Sequence, residues 1–80
     1  MKTITVEYFA ILKDHCKKSE EVCITDAYDA KGLYLELNEH YAFPVEKENL
    51  KVSVNDSFVS WDHEIQDGDK LVLMTPVSGG

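Results

Sequence analysis

Lys70-Leu71-Val72-Leu73-Met74-Thr75-Pro76-Val77-Ser78-Gly79-Gly80 closes this chain of 80 residues, and the remainder is organised around it. Residues 70–75 read as an apolar strand. Pro76 has no N–H to give a ladder, so pairing is expected to stop there. The segment beyond it is short, carries no charged side chain and ends on two glycines. Two consecutive glycines at a given site arise by chance about once in two hundred cases. Neither has a Cβ, so such an end can thread a narrow channel. With no side-chain charge, burying it would desolvate only the terminal carboxylate. That is the design expected of a terminus that is itself the working group. Taken alone, the tail fits a frayed terminus of small residues equally well.

Outward from the tail, Asp67-Gly68 marks a turn that closes a polar connection over residues 62–69. Residues 57–61 read as a short strand and residues 50–54 as another. Asn55-Asp56 between them tolerates the positive φ of a tight turn. Further back, Ala30, Leu33, Tyr34, Leu37 and Tyr41 repeat at helical spacing and form one apolar stripe. Asp29 is placed to cap that helix. Gly32 costs it roughly 1 kcal/mol relative to Ala, which packing must offset. Phe43-Pro44 ends it, because the residue before proline avoids helical angles. Residues 20–25 read as a strand pairing back on residues 2–9, with a loop or helical turn over residues 10–18. In residues 2–9, Ile4, Val6 and Tyr8 alternate with Thr5, Glu7 and Phe9, so Phe9 falls on the polar side. The order of elements gives an α+β layout with one main helix over one sheet face.

Composition narrows the function. Eighty residues with a net charge of −7, from 15 acidic and 8 basic side chains, make one small domain with little room for an enclosed active site. The acidic balance argues against a nucleic-acid partner and favours a protein with a basic docking face. No run is long and apolar enough for a membrane, and no signal-peptide pattern is present, so a cytoplasmic location is expected. Cys16 and Cys23 fit neither a disulfide framework nor a zinc spacing. Cys23 reads as a small apolar strand residue. Cys16, between His15 and Lys17-Lys18, is either a thiol of lowered pKa or a loop cysteine without a role. Asp62-His63-Glu64 resembles an acid–base set, but neighbours on a turn point apart. Asp67-Gly68-Asp69 has too few oxygens for calcium. His15, His40 and His63 show no paired spacing, so neither a metal nor a bound cofactor is expected, and neither is catalysis within the chain.

The stretch Val54-Asn55-Asp56-Ser57-Phe58-Val59-Ser60-Trp61-Asp62-His63-Glu64-Ile65-Gln66-Asp67-Gly68-Asp69-Lys70-Leu71, with the tail, resembles the small subunit of molybdopterin synthase. That is the MoaD family of ubiquitin-like sulfur carriers. The Val-Asn turn, the Val-Ser-aromatic-Asp-His step, the Asp-Gly-Asp turn and the closing Pro-Val-small-Gly-Gly stand in order. The likeness is specific over residues 54–80 and fair over residues 6–14. It implies a β-grasp (ubiquitin-like) domain over residues 1–75, a mixed sheet against one helix, and a sulfur-carrying tail over residues 76–80.

The resemblance implies that the α-carboxylate of Gly80, with Gly79 beside it, is the reactive group. A carboxylate is a poor electrophile and must first gain a leaving group. An adenylyltransferase similar to ubiquitin-activating enzymes would use ATP for this. Sulfur would then displace AMP to give a thiocarboxylate. In the family this thiocarboxylate enters the large subunit of molybdopterin synthase and gives sulfur to a pterin precursor. Docking needs a surface, and strand parity supplies one. If Leu71 and Leu73 face the core, Val72 and Met74 face outward, joined by Phe9 and Phe58. Pro76 and Val77 would lead the tail into the partner. Lys13, where the family tends to be basic, would add an ion pair at the rim. Other sulfur carriers, for thiamine synthesis or tRNA thiolation, would share this chemistry with a different acceptor. A ubiquitin-like protein modifier would instead form isopeptide bonds.

Overall fold

A computed structural model describes residues 1–75. Its elements run β1 (Lys2–Tyr8), α1 (Ile11–Cys16), β2 (Glu20–Thr25), α2 (Ala30–Tyr41), a 3-10 turn (Lys47–Asn49), β3 (Lys51–Val54), β4 (Ser57–Val59) and β5 (Lys70–Met74). The five strands form one sheet in the order β2-β1-β5-β3-β4. β1 and β5, the first and last strands of the described residues, lie parallel at its centre, and the other neighbours are antiparallel. This is the mixed β-grasp sheet that the resemblance implies. No helix among the described residues is long and apolar enough to cross a membrane.

The alternation in β1 survives intact: Ile4, Val6 and Tyr8 are at most 1% exposed. They meet Leu71 and Leu73 of β5, Val52 and Val54 of β3, and the α2 stripe of Ala30, Leu33, Tyr34 and Leu37 in one core. Asp29 caps α2 as its sequence predicts, its Oδ1 accepting from the Gly32 N–H at 2.8 Å. The cost of Gly32 has a packing reason. A Cβ there would stand 3.2 Å from that same Asp29 oxygen and 3.3 Å from the Ala27 Cβ. At the other end, Ala42 takes a left-handed φ of 51° and its N–H bonds to the Asn38 carbonyl. The Asn38 side chain accepts from the Phe43 N–H at 2.9 Å. The helix therefore stops at Tyr41, closed by its own cap rather than by Pro44 alone.

Several boundaries and burials differ from those the sequence predicts. Residues 10–18 hold a true helix, α1, that buries Leu12 and Cys16. β4 ends at Val59 rather than at Trp61 because α2 competes for the backbone beyond it. The Lys31 N–H takes the Trp61 carbonyl at 2.8 Å and the Ala30 N–H takes the His63 carbonyl at 3.1 Å. These are two of the donors that a helix start leaves free. Ile65, within the expected polar connection, is fully buried, and its N–H bonds to the Tyr28 carbonyl at 3.0 Å. That connection therefore clamps the start of α2. Asn55 and Asp56 adopt the expected positive φ, at 52° and 73°.

Candidate functional site

The sheet has a second face, opposite α2, and the residues picked out by parity meet there. Glu7, Val72, Ser53 and Phe58 are successive cross-strand partners on β1, β5, β3 and β4. Directly opposed residues in a pleated sheet point to the same side. Phe9 extends the row beyond β1, its N–H donating to the Leu73 carbonyl at 3.2 Å. Phe9, Phe58, Val72 and Met74 line one shallow depression of about 370 Å³, walled on its polar side by Glu7, Asp56 and Lys70. Phe58 and Phe9 are 69% and 43% exposed. Large apolar groups left this open are unusual when they cluster.

One member of the set needs correction. Val72 faces outward as expected but is only 6% exposed. It sits on a central strand between Glu7 and Ser53, and is short beside the side chains around it. It forms the floor of the depression, while Met74, half-buried, and the two phenylalanines form its accessible apolar wall. Lys13 is exposed on α1 and belongs to no ion pair among the described residues. Pro76, Val77, Gly79 and Gly80 lie outside the described residues.

The charged wall was not legible in the sequence. Lys70 Nζ lies 2.9 Å from Glu7 Oε1. The hydrogen bond and charge of Glu7 hold the ammonium's pKa above its usual range, with Asp56 and Glu20 adding to the effect. A run such as Lys-Leu-Val-Leu-Met reveals which side Lys70 takes, but not which carboxylate two strands place beside it.

Other candidates resolve into structure. Burial, aided by the Glu21 charge, pushes the Cys16 thiol up, against the opposing pull of Lys18. A raised pKa is the reverse of activation, because the thiolate is the nucleophile. Burial likewise moves Cys23 up to about 11. Glu21 accepts hydrogen bonds from the Tyr8 hydroxyl and, at 2.7 Å, from the Tyr41 hydroxyl, and Lys18 stands 3.5 Å away. Partial burial would raise its pKa, but the two phenols and Lys18 outweigh this and hold it below the usual carboxylate range. The cluster ties β1 and β2 to the end of α2. Asp62 bonds to the hydroxyl of Ser60 and Asp69 to the side chain of Asn55, both as turn braces. Among the described residues no group of His, Cys, Asp and Glu could hold a metal ion.

The ThiS family profile matches residues 6–80, nearly the whole chain. The chain belongs to the ThiS family. It is also 37% identical over 43 residues to the molybdopterin synthase sulfur carrier subunit of Escherichia coli, a stretch covering 54% of this chain. The match spans about half, 53%, of that relative's length. Among solved structures, a putative molybdopterin converting factor subunit 1 from Pyrococcus furiosus superposes with a TM-score of 0.82 at 24% identity. That superposition covers 96% of this chain and 100% of the other. A second is the complex of subunits 1 and 2 of the molybdopterin-converting factor from Helicobacter pylori. It matches with a TM-score of 0.70 at 25% identity, covering 98% of this chain and 99% of that chain. The family's fold, a ubiquitin-like β-grasp, is therefore the fold of this chain.

Proposed function

We propose that this protein is the sulfur carrier subunit of a molybdopterin synthase. The observation that carries the reading is the ThiS match through Gly80, supported by the likeness to the Escherichia coli sulfur carrier subunit. The Gly80 carboxylate attacks the α-phosphorus of ATP held by an activating adenylyltransferase, and pyrophosphate leaves. Hydrosulfide from a sulfur donor then attacks the acyl-adenylate, expels AMP and loses its proton, leaving a thiocarboxylate on Gly80. The chain itself supplies no catalytic side chain and binds no cofactor. It supplies an acyl group on an arm whose last two residues, Gly79 and Gly80, have no Cβ, and a face for docking. Phe9, Phe58 and Met74 around the Val72 floor form that face. Both the large subunit and the adenylyltransferase engage it while the Pro76–Gly80 segment reaches the reacting centre, with Lys13 at the rim.

The test is mass spectrometry of the protein after incubation with the activating enzyme, ATP and a sulfur donor. One oxygen is expected to be replaced by sulfur at Gly80, followed by loss of that sulfur to the pterin precursor in the presence of the large subunit. Removing Gly79 and Gly80 abolishes both steps. An added residue after Gly80 blocks transfer, because a shift of about 1 Å can cost on the order of a hundredfold in rate. An untrimmed extended tail that still supports cofactor synthesis would sink the carrier reading. Accumulation of lysine-linked adducts without sulfur would point instead to a protein modifier.

A further inference from the structure

The depression occupies one half of the open sheet face, and the other half is also unusual. On the edge strand β2, Val22 and Ile24 are 63% and 61% exposed. They point the same way as Val72. Val22 is opposed to Thr5, and Thr5 to Lys70, which stands two residues from Val72 on β5. Between the two apolar blocks runs a charged belt. Glu7 and Glu20 are direct cross-strand partners, an arrangement of like charges that is unfavourable by itself. Lys70 answers Glu7 at 2.9 Å, while Asp56 and Glu20 also act on it. Three carboxylates thus act on one ammonium, and the belt keeps a surplus of negative charge.

Size decides how much of this face a partner covers. A stable interface buries about 800 Å² on each side. With 4871 Å² of accessible surface on this molecule, that is roughly a sixth of the whole. The depression alone, a handful of side chains wide, falls well short. Five strands spaced about 4.8 Å apart put β4 and β2 about 19 Å from each other, so an edge-to-edge footprint brings the interface toward the required area. It would also cover Val22 and Ile24, which otherwise stand in water.

We propose that the large subunit covers the open face from β4 to β2 and presents a cationic side chain to Glu7 and Glu20 between two apolar patches. This rests on the docking role proposed for the depression and extends it to the partner's chemistry. A partner with the cation replaces the water lost by the facing carboxylates. One without it leaves them desolvated against a single ammonium, so the belt acts mainly as a selector.

The test is calorimetric titration of the full chain with the purified molybdopterin synthase large subunit of the same organism, at low and high salt. Val22→Thr with Ile24→Thr keeps β-branched residues on the strand and is expected to weaken binding on the order of tenfold. Glu20→Gln is expected to weaken it less but to flatten its salt dependence, since the lost attraction is the screened one. Circular dichroism checks that each variant is folded. If both variants bind like the native chain while Phe58→Asp does not, the footprint stops at the depression and this proposal falls, with the docking role of the depression intact. If Phe58→Asp binds as tightly as the native chain, that docking role is itself wrong. A native chain that dimerises in solution, and is made monomeric by the Val22/Ile24 substitutions, would assign the β2 edge to a second copy and overturn the proposal.

Discussion

The two faces of the sheet use the same strands for opposite ends. On β5, Leu71 and Leu73 point toward α2 and are at most 1% exposed, while Val72 and Met74 between and beyond them point away. On β1, Ile4, Val6 and Tyr8 are sealed, and Thr5 and Glu7, with Phe9 just beyond the strand, form the other face. The helix-covered face is apolar save for hydroxyls with partners and, at its margin, the Glu21 carboxylate that accepts from two of them. The open face mixes phenylalanine with an ion pair and surplus carboxylates. A small domain has one core to hold it together, and here α2 covers only one side of the sheet. The other side is then free to carry groups that would be costly in a core.

That contrast predicts different responses to substitution. The largest effect belongs to the covered face: Leu73→Ala removes a fully buried side chain and is expected to cost about 2–5 kcal/mol in chemical denaturation. In a chain of this size that is a large share of the total. A loss below about 1 kcal/mol would mean that β5 is not the keystone of the core.

A smaller effect is expected at the Glu21 cluster, on the margin of the covered face. The folded-state pKa of Glu21 lies below its ordinary value of 4.5. Its contribution is therefore present above that ordinary value and is lost as pH falls through the lower, folded one. Denaturation curves taken from pH 7 downward should show stability dropping below about pH 4.5, with Glu21→Gln less sensitive to acid than the native chain. Parallel pH profiles for the two would show that Glu21 contributes nothing to acid sensitivity.

The smallest effect on stability is expected on the open face. Phe58→Asp should shift unfolding free energy by no more than about 0.5 kcal/mol, because the ring is 69% exposed. Partner binding, measured on the same sample, should be lost. A cooperative loss of structure would show that Phe58 holds the fold, and the division between faces would collapse.

Much of this was readable from residues in order. Period-two alternation gave up β1, helical spacing gave α2, and Asp29, Asn55-Asp56 and Asp67-Gly68 marked a cap and two turns. Each is a local signal, set by the geometry of a few consecutive residues. The apolar side chains that leave the core on β1, β4 and β5 were equally legible, because parity alone tells a strand's two sides apart. What required the tertiary structure was everything that depends on which strands are neighbours. Val72 is buried although it faces outward, because the parallel pairing of the first and last strands puts it mid-sheet between Glu7 and Ser53. Ile65 enters the core because the free amides of α2 draw its loop inward. Lys70 meets Glu7, and Glu7 meets Glu20, across ladders joining residues far apart in the chain. Side-chain periodicity is written along the chain, but burial and charge pairing are properties of neighbours, and neighbours across a sheet are chosen only when it closes.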